Sequence, residues 1–398
     1  MDNITHSLIG AAAGELALPS VATPAERRLI LAGNILAANL PDIDVLYTRI
    51  TEPPLGYLLH HRGYTHTVAG ILGLGLLLAF VLALSPTARR LAATNRVRLW
   101  APLALNLIGH VWLDSFNTYG VHPFYPFDAS WFYGDAVFIF EPWLWVLLGI
   151  AGIANARGRV PQLLTVALIT ALFVAIGALG IVPLFTVTLL VITAAALAAA
   201  AKFVTPRMRS AVALGAAAVC LVGMFGLSRV ARAETLTAIE ADRRGEVVDI
   251  VLSPDPAVPV CWTAIVLERD TAAGQLVLRR GTLSLLPASH PPARCVSHRF
   301  TAADSDEPSS GPIAWREEIH QPLAQLRDLN DRNCRVSAWL QFGRVPVIRD
   351  GRILDLRFET GRPGNFTAMA VAHDPSAGCP AYITPWELPR ADVLGGAR

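Results

Sequence analysis

Between Asn106 and Phe127 the chain reads NLIGHVWLDSFNTYGVHPFYPF, and within it His110 and Asp114 stand four residues apart in an apolar run. In a helix that spacing puts both side chains on one face. Ionisable groups are costly in an apolar helix and persist where a partner, a metal or a polar cavity receives them, so chemistry is expected here. Imidazole nitrogens and carboxylate oxygens hold zinc and related divalent ions, and an ion offsets the cost of grouping carboxylates.

Three other stretches carry the same residue types. PDID supplies Asp42 and Asp44, HHRGYTH supplies His60, His61, Arg62 and His66, and His6 lies near the N-terminus. These give His6, Asp42, Asp44, His60, His66, His110 and Asp114 as candidate metal ligands, with Asp42 or Asp114 able to act as a base. Arg62 is no cation ligand but suits an anionic phosphate or carboxylate. His61, Asn117, His122, Asp135 and Glu141 are read as supports of the site or as substrate contacts. Singly, each piece has an ordinary explanation: Pro41 marks a helix stop, HHRGYTH packs around Gly63 and Tyr64, and His110 is a satisfied polar residue in a bundle.

Where the elements place these residues is what would make a site of them. The chain is 53% hydrophobic and 16% charged, with a mean hydropathy of +0.44. Apolar runs at 68–84, 137–153, 163–181 and 184–201 each approach the roughly 20 residues that cross a bilayer. Helices are expected near 4–18, 29–46, 66–84, 99–116, 137–154, 162–181, 184–201 and 211–229, which makes a polytopic all-α membrane bundle of about eight transmembrane helices. The N-terminal segment MDNITHSLIG lacks a basic start and is read as a retained first helix.

Arg89, Arg90, Arg96 and Arg98 gather in one loop, Arg157 and Arg159 in another, and Lys202, Arg207 and Arg209 in a third. Such loops belong to the cytoplasmic side. The loop 117–136 has no Lys or Arg and belongs to the other side. Eight crossings then put both termini outside and bring the His- and Asp-bearing helix ends to one outer level. The aromatics of that loop read as an interfacial belt that would also receive a lipid. The formal charge of +2 discriminates nothing, and no basic patch with interleaved aromatics suggests a nucleic-acid surface.

Composition shifts near Arg229. Residues 1–231 hold 14 Lys+Arg and 10 Asp+Glu, against 19 and 21 in 232–398. A helical membrane domain carrying the metal site is therefore expected over 1–231, and a sheet-rich soluble domain over 232–398. VVDIVL, CWTAIVLE, GQLVLRRGTLSLL, SAWLQFGRVPVI and ILDLRFE read as strands, with two short helices near 313–330. Cys261, Cys295, Cys334 and Cys379 permit two disulfides in three pairings, with reduced, buried thiols as the alternative. Disulfides would support an external domain.

THSLIG at 5–10, LPDID at 40–44, HRGYTH at 61–66 and GHVWLDSFNTYG at 109–120 followed by HPFYPF together resemble the YdjM-like family of inner-membrane proteins, described as membrane-bound metal-dependent hydrolases. The resemblance extends to PVCW at 259–262, FGRVP at 342–346 and DLRF at 355–358. It implies a multi-pass protein of the bacterial inner membrane with His6, Asp42, Asp44, His66, His110 and Asp114 as leading site residues. The HxxxD element is also similar to part of the ligand pattern of zinc-dependent phospholipase C enzymes.

The reading is thus a hydrolase with one or two divalent ions, zinc in the first place. A metal-activated water would attack an ester or phosphodiester of a lipid or envelope substrate, and Arg62 would stabilise developing charge. The C-terminal domain is expected to be periplasmic and available to a partner there. An ion or small-solute transporter and a non-catalytic scaffold are the alternatives. Substrate, metal identity and oligomeric state are left open by the sequence.

Overall fold

The computed structural model describes residues 1–295, 311–359, 365–372 and 378–394. α1 (Asn3–Ala17) starts where the Asp2 carboxylate accepts from the backbone N–H groups of Ile4 and Thr5. α2 (Pro24–Asn39) opens on a capping box between Thr23 and Glu26 with Pro at its first turn. α1 and α2 approach closely because Gly10 has no side chain: a Cβ there would lie 2.6 Å from the Asn34 carbonyl oxygen. Pro41 then removes a backbone donor, and the chain tightens into a 3-10 run, Leu40–Ile50, that carries Asp42 and Asp44.

α3 (Leu55–His60) and a 3-10 turn (Tyr64–His66) follow, then α4 (Val68–Ala83) after a bend of 68°. α5 (Pro86–Asp114) is interrupted at Asn95, and its last turn presents His110 and Asp114. α6 (Pro142–Asn155), α7 (Arg159–Ala178), α8 (Leu184–Ala200) and α9 (Pro206–Glu240) complete the helical part.

These helices correct the expectation of eight spans. Among the described residues, four segments are long and apolar enough to cross a membrane: Pro24–Ile50, Arg159–Ala178, Leu184–Phe203 and Pro206–Glu240. The bent pair Leu55–His66 and Val68–Ala83 makes a fifth if it counts as one span. α1 has 15 residues and α6 has 14, about 21–23 Å of helix against a hydrocarbon core of about 30 Å. α5 carries Arg89, Arg90, Arg96 and Arg98 on either side of its break at Asn95, so its uninterrupted apolar stretch begins only at Leu99 and ends at Asp114, short of a crossing. Local hydropathy counted each apolar helix as a crossing, whereas helix length decides the matter. The parity argument that put both termini outside falls with the count. Most of the α7 and α8 spans is unburied, 11% and 17% being buried, which leaves their apolar side chains on the outside of the fold, as suits helices in lipid.

α9 runs to Glu240, past the expected division after Ala231, and leads into a mixed α/β domain. β1 (Glu246–Asp255), β2 (Val258–Asp270), β3 (Gln275–Ser284) and β4 (Ile313–Pro322) form an antiparallel meander in that order. α10 (Leu323–Arg332) and α11 (Cys334–Leu340) follow, then a small sheet of β5 (Pro346–Arg349), β6 (Arg352–Asp355) and β7 (Met369–Ala370), and α12 (Ala391–Leu394). The predominantly β expectation is corrected here. SAWLQFGRVPVI divides into the end of α11 and β5, and the helix pair read over 313–330 is β4 followed by α10. Short apolar runs do not distinguish a buried helix turn from a strand.

The meander is covered on both faces. Val251, Ile265, Leu267, Leu276 and Leu278 pack with α10, α11 and, from the helical part, Leu55, Leu58, Leu59 and Tyr119. Their alternates Ile250, Leu252, Ala264, Val266 and Leu283 pack with Phe116, Val137, Leu144, Ala231 and Ile239. The two parts of the chain therefore share both hydrophobic cores.

Candidate metal centre

The 3-10 run after α2, the turn before α4 and the end of α5 converge. Asp42, His66, His110 and Asp114 each offer one ligand atom, and all four atoms lie within 4.8 Å of one another. His66 Nε2 and His110 Nε2 are 3.2 Å apart. Asp42 Oδ1 lies 3.5 and 3.4 Å from them, and Asp114 Oδ2 lies 3.3 and 3.6 Å from them. Ligand atoms about 2.0–2.2 Å from a tetrahedral ion are separated by about 3.3–3.6 Å, so the spacing fits.

The other ring nitrogens explain why both Nε2 atoms face inward. His110 Nδ1 is 2.7 Å from the carbonyl oxygen of Ala38, an acceptor, so Nδ1 carries the proton and Nε2 presents a lone pair. His66 Nδ1 lies 3.2 Å from Asp44 Oδ2 and 3.1 Å from Thr65 Oγ1. That arrangement orients the ring in the same way. Two imidazole lone pairs and two carboxylate oxygens then meet at one point, an arrangement that a cation satisfies and a neutral core does not.

Around this group the sequence candidates separate. Asp44 and His61 form a second cluster with Asp42, His61 Nδ1 lying 3.0 Å from Asp44 Oδ1. Asp44 Oδ2 also accepts from the Arg62 backbone N–H and the Thr65 hydroxyl. His6 stands behind Asp114, with Nε2 3.2 Å from Oδ1 and its ring stacked on His110 at 3.9 Å. The α-amino group of Met1 also meets that oxygen. Arg62 is fully buried with positive φ; its Nε lies 3.0 Å from Asp114 Oδ2, and its Nη1 donates to the Asp114 carbonyl and to Asn117 Oδ1. Its guanidinium thus balances Asp114 rather than standing free.

Four candidates are placed elsewhere. His60 lies 2.8 Å from the Thr51 hydroxyl and stacks on Tyr382. His122 packs against Trp386 and Trp131 with no hydrogen-bond partner for its ring nitrogens among the described residues, and burial pushes its pKa down to about 3. Asp135 receives both terminal nitrogens of Arg344 at 2.8 Å; burial pushes its carboxyl up and Arg344 opposes the shift. Glu141 caps α6 through Trp143 N and accepts from Ala257 N, and burial pushes it up to about 7. The sequence reading missed Thr65 and Asn3, whose Nδ2 donates to Asp42 Oδ2 at 2.8 Å. Both lie within or beside motifs it used, but neither is a ligand type.

A family model described as YdjM inner membrane protein matches residues 1–182. Inner membrane protein YbcI of Escherichia coli (strain K12) is 33% identical over 158 residues, 40% of this chain and 81% of that protein. The chain belongs to the YdjM family of inner-membrane proteins. The uncharacterized protein YfhP of Bacillus subtilis (strain 168) is 29% identical over 150 residues, 37% of this chain, and this chain spans 43% of its length. No solved structure matches. The YdjM match takes in every residue of the converging cluster and ends at 182, ahead of the C-terminal motifs.

Proposed function

We propose that this YdjM-family protein is a membrane-embedded metal-dependent hydrolase whose ion is held by Asp42, His66, His110 and Asp114. The observation that carries the reading is the meeting of two oriented Nε2 lone pairs with two carboxylate oxygens at tetrahedral spacing. Two imidazoles with two carboxylates suit zinc, and manganese next. A second ion would use Asp44 and His61 and share Asp42. A bound divalent ion lowers the pKa of a coordinated water and polarises an ester or phosphoryl oxygen.

The chain's own residues do the rest. Asp42 is the most accessible of the four, with an 11% exposed side chain against 1% or less for the others. It is therefore the carboxylate placed to take a proton from the attacking water, with Asn3 holding its second oxygen. His6 holds Asp114 through its other oxygen, Oδ1, while Arg62 Nε lies against the ligand oxygen Oδ2 itself and balances its charge. The exposed apolar side chains of Ile43, Val45 and Leu46 flank Asp42, which supports a lipid or lipid-linked envelope ester as substrate.

Two disulfides, Cys261–Cys295 and Cys334–Cys379, support placing the α/β domain on the oxidising, periplasmic side. The absence of Lys and Arg from the loop 117–136 supports the same side for the metal centre.

The test is metal content by mass spectrometry after purification in mild detergent without chelators, followed by turnover of phosphodiester and lipid-ester probes. Near-stoichiometric metal in the wild type, lost in folded His110→Ala and Asp114→Ala, supports the centre. Loaded protein that turns over no probe, or protein that takes up no metal on reconstitution, overturns the hydrolase.

A further inference from the structure

α1 has a second chemical environment at its other end, away from His6. Glu15 takes both terminal nitrogens of Arg27 at 3.1 and 2.7 Å, and Arg27 also donates to the Asn155 carbonyl, tying α1, α2 and α6 together. Two cavities, of about 470 and 400 Å³, meet at this pair and share Glu15, Arg27 and Arg157 in their walls. Arg28 lines the first and Arg207 the second. Arg28, Arg157 and Arg207 are exposed and have no carboxylate partner among the described residues. Glu15 is the single acid in either wall, and Arg27 already neutralises it.

Apart from Asn155 and Ser210, the rest of the larger cavity wall is apolar. Leu31 and Ile35 extend it along α2, and Pro161 closes it from α7, beyond which Val160, Leu163 and Leu164 are 68%, 67% and 66% exposed. Unpaired guanidinium groups at the mouth and aliphatic side chains running along the helices suit a phosphate that carries acyl chains. The arginines also lie on the side that Lys and Arg mark as cytoplasmic, whose leaflet carries anionic lipid.

We propose that this cleft binds the phosphodiester headgroup of an anionic phospholipid through Arg28, Arg157 and Arg207. Arg27, locked by Glu15, fixes the cleft's shape rather than its affinity. A free phosphate would share the guanidinium contacts but would leave the aliphatic wall unused.

The full-length protein, in nanodiscs of phosphatidylcholine with or without phosphatidylglycerol, is released for native mass spectrometry and its retained lipids are counted. Phosphatidylglycerol is expected to be retained over phosphatidylcholine, with affinity falling roughly five-fold for each Arg removed in Arg28→Gln, Arg157→Gln and Arg207→Gln. Arg89→Gln/Arg90→Gln/Arg96→Gln, which removes the same charge elsewhere on that side, is expected to keep the lipid. Equal losses in that variant and in the combined Arg28→Gln/Arg157→Gln/Arg207→Gln variant would show diffuse surface charge and overturn the site. Release of phosphatidylglycerol by millimolar inorganic phosphate would reassign the cleft to a soluble anion and overturn the lipid. Metal content, read on the same samples, is expected to stay unchanged and confirms that the variants are folded.

Discussion

At the scale of residues, the centre separates ligands from the groups that aim them. His66 and Asp44 are adjacent in the cluster, yet Asp44 spends its oxygens on His61, the Arg62 backbone, Thr65 and the far side of the His66 ring. Asp44→Asn is expected to weaken metal binding by roughly 10–100-fold, whereas His66→Ala removes a ligand and abolishes stoichiometric loading. A competitive chelator titration distinguishes the two. His60→Ala is expected to leave metal content unchanged, because His60 is engaged with Thr51 and Tyr382; metal loss in that variant would mean the ligand set is misassigned.

Among elements, the contact between the helical part and the α/β domain rests on buried charge as well as apolar packing. Arg344, after α11, bonds Asp135 from the loop before α6 and Asp249 from β1. Arg344→Ala leaves the buried Asp135 and the part-buried Asp249 without their main partner and is expected to cost about 3–5 kcal/mol, read as a lowered thermal transition in detergent. Glu141 adds a pH dependence at the same junction. Its carboxyl is raised in the fold from 4.5 to about 7, so the folded state favours the protonated form. The associated stability is fully present below about pH 4.5 and is lost as pH rises through about 7. Glu141→Gln is expected to flatten the thermal transition against pH over that window relative to wild type. An unchanged profile would place the titration elsewhere.

On the scale of the whole molecule, two covalent links and a small number of spans constrain the arrangement. The disulfides close loops with sequence separations of 34 and 45, each worth about 4 kcal/mol by chain entropy. Cys220, in α9, is the free thiol. Alkylation of the unreduced, denatured protein is therefore expected to modify one cysteine, rising to five after reduction, as read by intact mass. Five modified cysteines without reduction would remove the support for an oxidising location of the α/β domain.

The sequence by itself named the residue types of the candidate centre. Asp42, His66, His110 and Asp114 stood among seven candidate ligands. His110 and Asp114 were legible because ionisable residues in an apolar helix are costly without a partner, and Asp42 and His66 because they are ligand types in short motifs at helix ends. It also marked the membrane character of the chain, since apolar runs are local. Tertiary structure alone decided the division of labour. His60, His122, Asp135 and Glu141 are of the same residue types as the cluster, and only their packing partners, remote in sequence, give them other work. The span count and the covered meander were hidden for the same reason. Hydropathy records how apolar a segment is, whereas helix length, the break at Asn95 and what packs on each face of a sheet depend on contacts that no local window contains.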